Sequence, residues 1–193
     1  MAKHSHRDKI LSSGLRVVHE RGFAGASVRD IVRAAGVPQG SFSNHFVSKE
    51  AFGVEILNIY FKQTQEIIQR TLRNEKLKPL KRIRAYVEEV DAALIKKDEL
   101  NGCLMGNLSL ESGGETPLIQ RRLAEMFAEV QKEFATCIKA AVKAKELPAS
   151  TNAMDLATFI HASLEGALLQ SRAEQTRVAM DRYKRVLYST ILR

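Results

Sequence analysis

Apolar residues recur at three- and four-residue steps along almost the whole chain. Leu80, Ile83, Val87, Val90 and Leu94 are spaced 3, 4, 3, 4, which is one buried stripe of a helix opened by Pro79. Ile10, Leu11, Leu15 and Val18 mark a first helix that ends near residue 21, where Gly22 follows. A long helix over 49–73 carries Phe52, Ile56, Ile59, Tyr60, Ile67 and Leu72. A short helix rich in small residues is predicted over 101–111, broken by Ser112-Gly113-Gly114. Leu123, Phe127, Val130, Phe134, Cys137 and Ala141 give a helix over 116–145, ended by Leu147-Pro148. Leu156, Phe159, Ile160, Leu164, Ala167 and Leu168 give another over 152–172. Val178, Tyr183, Val186, Leu187 and Ile191 give the last, over 175–192. Residues 74–78 read as a polar connection and 96–99 (Lys-Lys-Asp-Glu) as a solvated turn. No period-two pattern and no internal repeat is present, so the expected fold class is all-α, with about nine helices.

The remaining two helices fall in residues 27–50, the most informative stretch. Ser27 is a good N-cap, and Val28, Ile31 and Val32 follow at helical spacing, predicting a helix over 28–35. Gly36 stops it, Val37 plugs the turn, and Pro38 suits the start of a second helix over 38–45. In that helix Phe42 and Phe46 point inward, while Gln39, Ser41, Ser43 and Asn44 point outward. Ser48-Lys49-Glu50 then caps the long helix. Two short helices around a tight glycine turn make a helix-turn-helix, and the second carries hydrogen-bonding side chains where a DNA reader needs them.

The charge distribution agrees. Residues 1–49 hold eight Lys/Arg and three acids, a net of +5, out of +8 for the whole chain of 193 residues. The positive field therefore sits on the segment with the motif, as phosphate binding requires. The outer face from Gln39 to Asn44 is polar and nearly uncharged, which argues against a nonspecific DNA-coating protein.

The run Ser-Val-Arg-Asp-Ile-x-x-x-Ala-Gly-Val from Ser27, followed by Gly-Ser-Phe-x-x-His-Phe-x-Ser-Lys-Glu from Gly40, resembles the DNA-binding domain of the TetR family of bacterial repressors. The match covers about the first 50 residues. It implies a three-helix helix-turn-helix DNA-binding domain over 1–48 and a helical effector-binding and dimerisation domain over 49–193. One departure is that the family usually carries Tyr where this chain has Ser43.

The reader's side chains divide by role. Gln39, Ser41 and Asn44 suit base edges, because amides pair bidentately with adenine and Ser is adaptable. Ser27, Arg29, His45 and Lys49 suit phosphate by resemblance and by charge, and Ser43 joins them in place of the family Tyr. Lys3, Arg7 and Lys9 add backbone contacts from a basic arm. One short helix covers few base pairs, so the partner is expected to be a palindromic double-stranded operator bound by a homodimer. By resemblance, the eighth and ninth predicted helices form the dimer interface. Ala162, Ser163, Gly166 and Ala167 are small enough for the close approach that this needs.

Resemblance also implies a small-molecule effector held among the later helices. Cys103, Met105, Asn107, Tyr60, Phe61, Phe127 and His161 are the candidate residues, with Met126 and Phe159 beside them. The segment 102–108 resembles the NemR-like branch of the family, in which a cysteine at the matching place responds to electrophiles or oxidants. Cys103 is expected at the start of a short helix, where amide donors favour thiolate. Cys137 lies in a buried stripe and is expected to be an inert core thiol. A noncovalent lipophilic effector is the alternative.

Both cysteines are expected as free thiols in a reducing compartment. The start of the chain lacks an apolar leader and no run of 18 apolar residues occurs, so the expected location is the cytoplasm. No cofactor is implied. His4 and His6 do not make a metal-ligand cluster. A small thiol enzyme of all-α fold is the other class weighed, and neither cysteine lies in a recognisable nucleophile signature. The expectation is a regulator, not an enzyme.

Overall fold

The computed structural model describes residues 5–95 and 100–192. Lys3 and His4, the expected turn at 96–99 and the side chain of Leu94 lie outside the described residues. Eight α-helices follow one another: α1 His6–Arg21, α2 Val28–Ala34, α3 Lys49–Arg70, α4 Pro79–Ile95, α5 Leu104–Glu111, α6 Pro117–Lys143, α7 Ala153–Glu174 and α8 Val178–Val186. A single wide π turn, Leu187–Ile191, continues α8. No strand occurs among the described residues.

The helix expected over 38–45 is different. Only Gln39–Ser41 form a 3-10 turn, and turns carry the chain on to His45. Local competition explains this. Pro38 supplies no amide donor, and the Ser43 hydroxyl donates to the Gly40 carbonyl at 3.1 Å, offering the backbone a non-helical partner. The following bonds are helical in part, from the Asn44 amide to Gly40 and from the Phe46 amide to Phe42.

The chain divides into two compact units, one of residues up to 62 with 104–124, the other of 63–103 with residues from 125 on. The first unit's core joins Ile10, Leu11 and Val18 of α1 to Ile31 and Val32 of α2 and to Phe52, Ile56 and Leu57 of α3. Phe42, Phe46 and Phe52 form an aromatic knot, with ring centroids 5.1–5.3 Å apart. Gly14 of α1 faces this knot, and a Cβ there would stand 2.3 Å from the Phe52 ring. α2 begins on a capping box in which Ser27 and Asp30 satisfy each other's amides.

The second unit packs α4, α6, α7 and α8. Ile83, Val87, Val130, Phe134, Ile138, Ile160, Leu164 and Met180 are all buried. Tyr86 stands edge-on to Phe134 at 5.0 Å. Asp91 of α4 is buried, and Arg177 and Lys184 each donate to its Oδ2, at 2.7 and 2.5 Å. The stripes differ from expectation at three positions. Phe159, Val178 and Val186 are exposed. On α7, Phe159, Ala162, Gly166 and Leu169 are exposed together at steps of 3, 4 and 3, so they form one face.

Candidate nucleic-acid interface and effector site

The DNA-facing residues start from the turn chemistry. Gly36 holds a φ of 63°, the left-handed region that a glycine enters cheaply, and lets α2 end tightly before Pro38. The short turn that follows presents Gln39, Ser43, Asn44 and His45 to solvent, anchored from behind by Phe42 and Phe46. Arg29 of α2 is exposed and has no carboxylate partner among the described residues. Ser41 departs from expectation. It is buried, with its hydroxyl 3.5 Å from the His6 ring. A 3-10 turn advances three residues per turn instead of 3.6, which rotates Ser41 inward.

The other expected phosphate contacts have internal partners. Ser27 spends its amide and hydroxyl on Asp30. Arg7 pairs with Glu55 and lies over the Phe46 ring at 5.6 Å. Lys49 is half-buried, donates to the Phe23 carbonyl at 2.6 Å and stands over the Phe23 ring. Burial lowers its pKa, with the charge of Glu111 pulling the other way. Glu111 was not singled out in the sequence. It ends α5 and accepts from the Ala24 amide at 2.7 Å, so the α1–α2 turn is moulded on an α5 carboxylate.

The expected effector residues fall in both units. Tyr60, Phe61, Met105 and Asn107 belong to the first. Phe61, Met105 and Asn107 are buried there, Tyr60 is edge-on to His19, and the Arg122 guanidinium lies 5.7 Å from the Phe61 ring centre. Cys103, Phe127 and His161 belong to the second, as does fully buried Met126. His161 is buried, 5.7 Å from Phe127 and stacked on Phe134 at 6.1 Å. Burial pushes its pKa down to about 4. Phe159, exposed, does not join this group.

Around Cys103 the fold gathers a cluster that sequence spacing had hidden. Cys103 is half-buried and directly precedes α5. Glu165 lies one helical turn beyond His161 on α7, in the same unit as Cys103. Glu165 Oε1 is 3.7 Å from His161 Nε2, beyond hydrogen-bond length. Burial pushes the Glu165 carboxyl up to about 7. Tyr86 and Tyr183 complete the cluster, both held neutral by burial, with Tyr183 donating to the Ile160 carbonyl at 3.1 Å. The i, i+4 spacing of His161 and Glu165 was the one sequence signal that could have found this pair. Cys137 is a different thiol. It is buried, donates to the Pro79 carbonyl at 3.2 Å, and burial pushes it up to about 11.

Comparison with known proteins fixes the family. Residues 10–56 match the family described as bacterial regulatory proteins, tetR family, and residues 79–187 match the tetracyclin repressor-like C-terminal domain. The chain is 34% identical over 192 residues to the HTH-type transcriptional repressor DhaR of Mycobacterium sp. (strain GP1), covering 100% of this chain and 95% of that one. The chain belongs to the TetR family of transcriptional repressors. It is also 31% identical over 109 residues to the repressor NemR of Escherichia coli K12, covering 56% of this chain and 55% of that protein. Its fold superposes on the regulatory protein TetR from Rhodobacter sphaeroides with a TM-score of 0.88 and 25% identity, over 94% of this chain and 96% of that one. As in the family, a helix-turn-helix DNA-binding domain leads the chain. No described helix of this TetR-family chain is long and apolar enough to cross a membrane, and no described cluster of His, Cys, Asp and Glu could hold a metal.

Proposed function

We propose that the protein is a homodimeric cytoplasmic repressor that holds a palindromic operator and releases it when a reactive electrophile modifies Cys103. It acts as a regulator, with no catalytic turnover. Gln39 and Asn44 read base edges, and Arg29, Ser43 and His45, with Lys3 and with Lys9 of α1, bind phosphate. Ser41, Ser27, Arg7 and Lys49 hold the reader in shape and contribute to DNA only at the cost of the internal partners described above. The exposed face of Phe159, Ala162, Gly166 and Leu169 on α7, with Val178 and Val186 on α8, packs against its copy in the partner.

The observation that carries the effector reading is the place of Cys103. The thiol is half-exposed and joined through a single peptide bond to α5. The far end of α5 carries Glu111, which holds the α1–α2 turn beside Lys49. A group added to Cys103 therefore sits one residue before the helix that shapes the reader. Physically, release requires the adduct to be better accommodated in the DNA-free geometry.

The test is fluorescence anisotropy of the purified protein on its own upstream DNA at fixed salt, before and after stoichiometric thiol alkylation. A loss of operator affinity of tenfold or more, absent in Cys103→Ser, is expected; it corresponds to about 1.4 kcal/mol. Tight binding that alkylation leaves unchanged would shift the reading to a noncovalent lipophilic effector seated by the aromatic pair Phe127 and Phe134 around His161.

A further inference from the structure

The first turn of α6 is capped from another helix. Pro117 opens α6 and carries no amide proton, so Leu118 and Ile119 supply its first free donors. Thr116, directly before them, spends its hydroxyl on Gly113, donating to that carbonyl at 3.4 Å and accepting from that amide at 3.2 Å. The cap comes instead from Glu50, 68 positions before Leu118, in the first turn of α3. Its Oε1 accepts from the Leu118 amide at 2.7 Å and from the Ile119 amide at 3.4 Å. A carboxylate also suits the positive end of the α6 dipole. Gly53, three residues on, keeps the approach close: a Cβ there would stand 2.8 Å from Ile119 Cδ1 and 2.7 Å from the Phe23 ring.

These contacts close a circuit around the reader. Lys49, next to Glu50, donates to the Phe23 carbonyl at 2.6 Å. The next residue, Ala24, donates to Glu111 at the end of α5. Residues 112–116 lead from Glu111 into α6, whose first amides return to Glu50. The segment that holds α2 and the reader is therefore tied at its entry, residues 23–24, and at its exit, residues 49–50, to one α5–α6 corner, all within the first unit.

We propose that Glu50 is a positioning residue for operator binding: by capping α6 it fixes the direction in which the reader is held, and with it the half-site spacing that the dimer accepts. This rests on the dimeric, palindrome-binding reading above. Glu50 acts through α6 and touches no DNA. Its bond to Leu118 is solvent-exposed, so breaking it costs little folding stability. The knot of Phe42, Phe46 and Phe52 holds the reader's fold with or without Glu50, whereas the circuit holds its orientation. Two readers must enter successive major grooves at one separation, so a reader free to swing loses the second half-site before the first.

The experiment uses the full-length protein and fluorescence anisotropy at fixed salt on four duplexes. These are the palindrome from its own upstream DNA, the same palindrome with one base pair inserted or removed between the half-sites, and one half-site alone. The wild type is expected to prefer the native spacing. Glu50→Ala should bind the native palindrome about tenfold more weakly and prefer it less over the altered spacings, while its half-site affinity stays within about twofold of wild type. Glu50→Gln keeps an oxygen acceptor and should restore most of the spacing preference. A loss of equal size on all four duplexes would make Glu50 a support of the reader's fold and overturn the proposal, as would unchanged binding to all four. If Glu50→Ala does not fold, hydrogen exchange on the wild type decides. The Leu118 and Ile119 amides should be protected in the operator complex, and exchange there at the rate of unbonded amides would refute the role of Glu50. A wild type that holds one half-site as tightly as the palindrome would sink the palindrome-binding reading, and this proposal with it.

Discussion

Glu111 and Ala24 are 87 positions apart, yet the Glu111 carboxylate accepts the Ala24 amide at 2.7 Å. The same carboxylate explains the neighbouring backbone. Gly22 sits at a φ of 81°, and a Cβ there would stand 2.5 Å from Glu111 Oε1. The turn that enters the helix-turn-helix is thus held from α5. Glu111→Ala removes the acceptor and leaves an amide with only water to bond. Being solvent-exposed, the bond is worth about 1 kcal/mol. The expected result is operator affinity weakened about fivefold, with a small loss of melting temperature, and Glu111→Gln close to wild type. An unchanged Kd for Glu111→Ala would detach α5 from the reader.

The reader segment separates base from phosphate contacts in a way that salt titration resolves. Asn44→Ala should lose about 1–3 kcal/mol of discrimination between the operator and a scrambled duplex, at nearly the same salt slope. Arg29→Ala should weaken both duplexes alike and reduce the slope of log K against log salt by about 0.9. Ser41→Ala, at a buried site, should leave discrimination intact. Loss of discrimination in Ser41→Ala would mean that the segment turns over on DNA.

These assignments show what the sequence carried. Capping and turn chemistry are local, so Ser27 and Gly36 announced α2 and its end correctly. The Phe42–Phe46 spacing also held, because four steps keep one face in α and nearly so in the mixed turn. Ser41 was misplaced because the side chains of Ser43 and Asn44 disfavour a regular helix, and the 3-10 phase differs from the α phase. Phe159 was misplaced on α7 because an apolar residue on an exposed helix face looks the same in sequence as one on a core face. Glu111 was invisible in the sequence, since its partner Ala24 is distant in the chain and only packing brings them together.

His161 and Glu165 titrate in opposite directions, which gives a prediction with a definite sign. His161 falls from 6.5 to about 4 on folding, so the unfolded chain binds more protons between those values and stability rises with pH there. Glu165 rises from 4.5 to about 7, so the folded chain binds more protons and stability falls as pH rises over that window. The two slopes oppose each other between 4.5 and 6.5, and the wild type should be flat from this source. Tyr86 and Tyr183 stay neutral throughout and add nothing. Glu165→Gln should leave the His161 slope, gaining stability on the order of 2 kcal/mol relative to wild type from pH 4.5 to 6.5. His161→Gln should do the reverse and lose a similar amount. Urea midpoints at pH 5 and 6.5 measure both, and parallel behaviour of the three proteins would show that the pair is not buried as a neutral unit.

The α7 face offers a test of the dimer that does not disturb the fold of one subunit. Phe159, at 53% exposure, and Leu169, at 44%, flank Ala162 and Gly166 on a surface that the described residues leave uncovered. A Cβ at Gly166 meets nothing within 4 Å. Within one chain, then, Gly166→Leu has room, and it replaces a poor helix former with a good one, a gain of up to about 1 kcal/mol in helix stability. Against a partner helix packed closely on the same face, the added side chain has nowhere to go. The expected outcome is a subunit as stable as wild type or more so, with a dimer that dissociates at much lower protein dilution by sedimentation equilibrium. Operator affinity should fall with it, because a lone reader covers too few base pairs. Leu169→Glu should dissociate the dimer by a different means, placing charge where apolar surface is required. If both variants remain dimers with unchanged dissociation, the subunits meet through another surface and the spacing of the two readers must be set elsewhere.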